Sequence, residues 1–144
     1  MRYSPLMVNP MRQELTGIGF SELTSPEDVD AFMAKRSGSA LLVINSVCGC
    51  AAGQARPGVR QALAGGVKPD RLVTVFAGQD AEATSRARSY FADVPPSSPS
   101  IALFKDGELV YFVPRHRIEN RSASEVAAEL ESAFVRYLTA DATA

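Results

Sequence analysis

Leu41-Leu42-Val43-Ile44-Asn45-Ser46-Val47-Cys48-Gly49-Cys50 is the stretch on which the fold turns. Its first four residues form a short, uninterrupted apolar run, the pattern of a strand buried on both faces. A helical stretch follows from about Cys50 to Leu63 and ends at Gly65-Gly66. Leu72-Val73-Thr74-Val75-Phe76 then reads as a second buried strand. Two buried strands joined by a helix must pair in parallel through a right-handed crossover, and that β-α-β unit anchors everything else.

Downstream, Asp80 stands where it can cap a helix carrying Ala83, Ala87, Tyr90 and Phe91. Pro95-Pro96-Ser97-Ser98-Pro99 is a stiff turn through which no helix can run. Ile101-Ala102-Leu103-Phe104 and Leu109-Val110-Tyr111-Phe112-Val113 follow as strands, and the Asp106-Gly107 between them predicts a tight antiparallel hairpin. Ser122-Ala123-Ser124-Glu125 fits a capping box for a last helix with Val126, Leu130, Phe134 and Tyr137 or Leu138 on its buried side.

Upstream, Met7, Val8, Met11, Leu15 and Ile18 recur at helical spacing before Gly17 and Gly19. Ser25-Pro26-Glu27-Asp28 then opens a second helix with an N-cap hydroxyl, a proline in the first turn and early acids. The expected architecture is α/β: a central mixed sheet in the order βαβ-α-ββα, flanked by helices. It forms a single domain over 1–144, with a helical extension over 1–37 and the core over 39–140.

The 144 residues, 46% hydrophobic and 22% charged, suffice for a real core without disulfides. A net charge of −1 with no basic run excludes nucleic acid and anionic membrane as main partners. The N-terminus lacks the apolar segment of a secretory signal, and no run approaches the ~18 apolar residues of a membrane span. The expected location is the cytoplasm, where thiols stay reduced. Two neighbouring cysteines there point to redox work or metal binding rather than a staple.

Cys48 and Cys50 sit where the first strand ends and the next helix begins. Unpaired N–H groups and the partial positive charge of a helix start favour an anion, so a thiolate forms more easily there. Cys50 can then attack a mixed disulfide made by Cys48. With only Gly49 between them the disulfide closes a very small ring. Its strain makes the couple more oxidising, which suits transfer or isomerisation of disulfides. Gly49 eases the ring by its backbone freedom.

Other readings stay open: buried structural thiols, a soft-metal module built on the Cys-Gly-Cys pair, or a non-catalytic interaction domain. A closed zinc site needs four ligands, and His116 is the sole histidine, so no metal site is assigned. Asn45 and Ser46 are candidates to hydrogen-bond a thiolate or help cap the helix. Arg115 and His116 are candidates for an anionic substrate. Arg56 could attract a carboxylate-bearing thiol, and a plain surface arginine is the preferred alternative. Pro57 is expected to kink the cysteine helix or give it an irregular start. A cis bond at Ser98-Pro99 is the minority state for any X-Pro pair, about 5%.

Val43-Ile44-Asn45-Ser46-Val47-Cys48-Gly49-Cys50-Ala51-Ala52-Gly53, with Ala55-Arg56-Pro57 after it, resembles the bacilliredoxins. So do Val75-Phe76-Ala77-Gly78-Gln79-Asp80, Pro96-Ser97-Ser98-Pro99-Ser100, Pro114-Arg115-His116 and Met11-Arg12-Gln13-Glu14-Leu15-Thr16, in the same order along nearly the whole chain. The resemblance implies a thioredoxin-like fold with N-terminal helical additions. It implies that Cys48 attacks and Cys50 resolves, with no bound cofactor and bacillithiol as thiol co-substrate. The partners it implies are S-bacillithiolated client proteins and the low-molecular-weight thiol itself, which a reductase keeps reduced. Disulfide isomerase activity is a further implication. It also implies that Ser98-Pro99 is cis and faces the cysteines, with Ser98 offering backbone hydrogen bonds to a bound peptide or thiol. The chain departs from thioredoxin itself in having no tryptophan and one residue, not two, between the cysteines.

Overall fold

In the computed structural model, which describes residues 2–139, the apolar run becomes the middle of a five-stranded sheet. Met1 and residues 140–144, the outermost ends of the expected domain, lie outside the described residues. Helix α1 (Pro5–Thr16), strand β1 (Ser21–Glu22) and helix α2 (Pro26–Ala34) come first. Strand β2 (Ser39–Asn45), a π-helical turn (Ala51–Ala55), helix α3 (Arg56–Leu63) and strand β3 (Arg71–Phe76) follow. Helix α4 (Ala81–Ser89), strands β4 (Ser100–Lys105) and β5 (Glu108–Val113), a 3₁₀ turn (Arg115–Arg117) and helix α5 (Ala123–Leu138) complete the order.

The strands lie in the order β1-β3-β2-β4-β5. β2 pairs parallel with β3, setting Leu41 beside Leu72, and antiparallel with β4, setting Leu41 beside Leu103. Every residue of β2 is buried because the sheet is covered on both faces. Alternate residues divide between the two covers. Leu41, Val43, Ile101 and Leu103 pack with Leu15, Val59, Leu130 and Phe134 from α1, α3 and α5. Leu42, Ile44, Val73, Val75 and Phe104 pack with Val29, Phe32, Ala83 and Ala87 from α2 and α4.

Local chemistry sets the ends of these elements. Ser25 Oγ accepts from the Asp28 N–H, and Ser122 with Glu125 forms a reciprocal capping box, each such cap contributing roughly 1 kcal/mol. Asp106 and Gly107 both have positive φ, 51° and 82°, as the two-residue hairpin turn of β4–β5 requires. Glu129 of α5 accepts from Tyr111, Arg117 and Arg121, which ties the segment after β5 to the last helix.

Two features differ from the sequence expectation, and a third decides between alternatives it left open. β1 is added at the sheet edge: two polar residues carry no strand pattern and are extended only because they pair with β3. Asp80 occupies the N-cap position of α4 but makes no side-chain cap; its carboxylate instead grips Arg12 of α1. Of the two outcomes expected around Pro57, the cysteine helix takes the irregular start: a π turn in which the Arg56 N–H reaches the Ala51 carbonyl. That widening leaves Pro57, which has no N–H, in the first turn of α3, where none is needed. One residue later Gly58 lets α3 approach α5, since a Cβ there would lie 2.7 Å from Val126 Cγ1.

Candidate active site

β2 delivers the chain to a corner at Asn45 and Ser46, and the helix begins with Gly49 and Cys50. Cys48 stands at that start: its carbonyl accepts from the Ala51 and Ala52 N–H groups at 2.9 and 3.3 Å. Its own N–H donates to Ser46 Oγ at 3.1 Å. The Cys50 N–H points at Cys48 Sγ, 3.4 Å away, and the two sulfurs are 2.7 Å apart. Both thiols are free.

The two sulfurs differ in surroundings. Cys48 is half-buried and open on one side, whereas Cys50 is 9% exposed and packs into the core with Val59 and Ile101 among its cluster. Burial opposes ionisation of Cys48, but the hydrogen bonds from the Cys50 thiol and backbone N–H, aided by the Arg115 charge, outweigh it. The net result holds Cys48 below the ordinary thiol value. Burial and the neighbouring Cys48 sulfur push Cys50 up to about 11. Of the pair, the outer sulfur therefore gives up its proton first and the inner one keeps its own, so the thiolate that attacks a disulfide forms at Cys48.

The Ser98-Pro99 peptide bond is cis. Ser97 Oγ accepts from the Arg115 N–H, and the Ser98 carbonyl accepts from Arg115 Nη1, both at 3.3 Å. Arg115 is exposed, is held by Glu119 at 2.9 Å, and lies near enough to both sulfurs to favour their anions. His116 is exposed on the same 3₁₀ turn, and among the described residues its ring makes no hydrogen bond to the cysteine corner.

Arg56 overturns both expectations made for it. It is neither a surface residue nor a docking point for a carboxylate, being only 2% exposed. Its Nη1 donates to Asn45 Oδ1 at 2.8 Å and to the Ser46 carbonyl at 2.9 Å, while Nε pairs with Glu14 of α1 at 2.9 Å. Asn45 and Ser46 likewise serve the backbone rather than a sulfur. Asn45 Oδ1 accepts from the Ser46 N–H and its Nδ2 donates to the Met11 carbonyl of α1. Only the bond from Cys48 N–H to Ser46 Oγ resembles the expected cap. Sequence reasoning gave no role to Glu14, Ser97 or Glu119: the first two meet partners from other elements, whereas Glu119, four residues after Arg115, could have been found by its spacing. Among the described residues no group of three or more His, Cys, Asp or Glu side chains is placed to hold a metal ion.

Comparison with known proteins agrees with this geometry. The family model described as "Disulphide isomerase" matches residues 3–138. A bacilliredoxin of Cytophaga hutchinsonii is 56% identical over 132 residues, covering 92% of this chain and 97% of the relative. A bacilliredoxin of Bacillus cereus is also 56% identical, over 92% of each chain. Among solved structures, the thioredoxin of Fasciola hepatica superposes with a TM-score of 0.55 at 16% identity, covering 82% of this chain and 99% of that one. That likeness shows a thioredoxin fold, and the sequence relatives carry the rest: the chain belongs to the bacilliredoxin family of thiol–disulfide oxidoreductases.

Proposed function

We propose that this protein removes bacillithiol from client proteins that carry it as a mixed disulfide. The observation that carries the reading is the asymmetry of the pair: an open, ionisable Cys48 against a buried Cys50 held at about 11. The Cys48 thiolate attacks the bacillithiol sulfur of the client's mixed disulfide. The client thiolate leaves and takes a proton, and Cys48 now carries bacillithiol. Cys50 then loses its proton and displaces bacillithiol as thiol, closing the Cys48–Cys50 disulfide. Alternatively a second bacillithiol attacks, forming bacillithiol disulfide and restoring Cys48.

Two features support these roles. Once Cys48 is in a disulfide it no longer carries the charge that raises Cys50, so commitment of the first sulfur eases ionisation of the second. Arg115, exposed beside both sulfurs, is suited to an anionic thiol, with His116 on the same turn and the cis Ser98-Pro99 peptide tied to Arg115 through the Ser98 carbonyl. We place the activity in the cytoplasm; no helix among the described residues is long and apolar enough to cross a membrane. The N-terminal extension over 1–37 belongs, in this reading, to the same domain as the core over 39–140, because Leu15 and Phe20 share the core of α3 and α5.

Disulfide isomerisation is the second reading, favoured by the description of the family model and by a burial of Cys50 that slows resolution and prolongs the mixed disulfide. Cys48→Ala and Cys50→Ala variants, given a bacillithiolated client, separate the possibilities. Cys48→Ala is expected to abolish release, whereas Cys50→Ala completes the first exchange and accumulates a bacillithiol adduct on Cys48, seen by mass spectrometry. Full release by Cys48→Ala removes the proposal. Rearrangement of a scrambled substrate without any bacillithiol exchange selects the isomerase reading.

A further inference from the structure

A guanidinium that is 2% exposed is an unusual component of a thiol site whose helpful positive charge, Arg115, stands on the surface. Desolvating an arginine is unfavourable unless its N–H groups are satisfied. Arg56 meets that requirement by spending its donors on the corner that precedes Cys48. As a result all three polar groups of Ser46 are engaged. Its N–H goes to Asn45 Oδ1, its carbonyl receives Arg56 Nη1, and its Oγ receives the Cys48 N–H. Asn45 is equally committed, with Oδ1 shared between Ser46 and Arg56, Nδ2 on the Met11 carbonyl and its own carbonyl taking the Ala77 N–H. On its far side Arg56 is fastened to Glu14 of α1.

We propose that Arg56 is a positioning residue, which locks the Asn45-Ser46 corner to α1 and so aims the Cys50 N–H and thiol at Cys48 Sγ. The N-terminal helix, through Glu14 and the Met11 carbonyl, is thereby a working part of the thiol site and not an appendage to the fold. Arg56 acts by geometry. Its charge is offset by Glu14, and the groups that chiefly favour the Cys48 anion are the Cys50 thiol and N–H, Arg115 and the Ala51 N–H. Hydrogen bonds of this kind are steep in distance and angle, so a corner that drifts weakens them without leaving the site.

This inference rests on Cys48 being the exchanging thiol, and its test needs neither bacillithiol nor a client. The reduced full-length protein is alkylated with iodoacetamide, a neutral reagent, over a pH series, with the adduct on Cys48 followed by mass spectrometry. Arg56→Met is expected to move the Cys48 titration up toward the ordinary thiol value. Each unit of that rise lowers the thiolate fraction at pH values beneath it by roughly tenfold, and the rate by somewhat less because a more basic thiolate is a better nucleophile. Arg56→Lys keeps the charge but cannot span Asn45, Ser46 and Glu14 with one planar fork, so it is expected to recover only part of the shift. Arg60→Met, which removes an exposed arginine one turn along α3, leaves the titration unchanged.

An Arg56→Met protein that folds and titrates at Cys48 like the parent overturns the proposal, whatever happens to its melting temperature. Should that variant fail to fold, Arg56→Lys and Glu14→Gln decide instead: an upward shift in both supports the clamp, and no shift in either overturns it. A shifted titration in a protein without bacillithiol exchange would sink the proposed substrate and leave the clamp standing. An unshifted one with normal exchange would do the reverse.

Discussion

Two helix starts in this protein face the same physical problem and solve it differently. At α5 the exposed N–H groups are closed locally, Ser122 Oγ taking the Glu125 N–H at 3.1 Å and Glu125 Oε1 the Ser122 N–H at 2.8 Å. At the cysteine helix no side chain closes the first turn in this way, and the Cys50 N–H is aimed at a sulfur. The first arrangement is complete within four residues. The second depends on groups 10, 11 and 42 positions apart in the chain, through Arg56. A closed cap contributes stability and has nothing left to offer a ligand. An open one keeps its donors for a charge that comes and goes, and must be stiffened from elsewhere.

The sharpest way to probe this contrast is to titrate the open start. Cys48 lies below the ordinary thiol value, so its alkylation rate rises with pH only until that lowered value and is flat above it. Cys50, at about 11, is thiolate in only about one molecule in ten thousand at neutral pH. Labelling of Cys48 well ahead of Cys50 is expected at pH 7, since the two values lie at least about two units apart. Equal labelling of both sulfurs would show that the helix start does not distinguish them.

Breaking the closed start should have a smaller and different effect. Ser122→Ala removes one half of the capping box and is expected to lower unfolding free energy by about 1 kcal/mol, read by denaturant titration, with the Cys48 titration unmoved. A change in Cys48 reactivity there would mean that the two helix starts are coupled through the α3–α5 contact at Gly58 and Val126. The smallest effect belongs to Arg115→Gln. This guanidinium is exposed and acts on the sulfurs across screened solvent, so Cys48 should move only slightly upward, and less at high salt. A salt-independent shift would show that Arg115 acts through its side-chain contact with the Ser98 carbonyl rather than by its charge.

The same contrast marks how far the chain could be read. The capping box of Ser122, the N-cap of Ser25, the Asp106-Gly107 turn and the buried strands β2, β3 and β4 follow from patterns a few residues long. Such features are dictated by local sterics, periodicity and nearby donors, so they are visible in sequence. β1 was invisible because Ser21 and Glu22 are extended only by pairing with β3. Asp80 misled because an aspartate at a helix start ordinarily caps it, and here Arg12 from α1 outcompetes the backbone for its carboxylate.

Within the site, the cysteines and their place between a strand and a helix were legible, as was the Pro99 turn. The burial of Arg56 was not, since an arginine on an amphipathic helix reads as solvated until its partners are known.

The sequence alone determined which sulfur stands at the helix start and which elements bracket it, because neighbouring residues share their geometry through the covalent chain. Only the tertiary structure decided that Cys50 is sealed, that Arg115 reaches the pair, and that Arg56 ties the corner to α1. Those are outcomes of burial and charge satisfaction between segments that meet only when the sheet and its helices close, and no short window of residues encodes them.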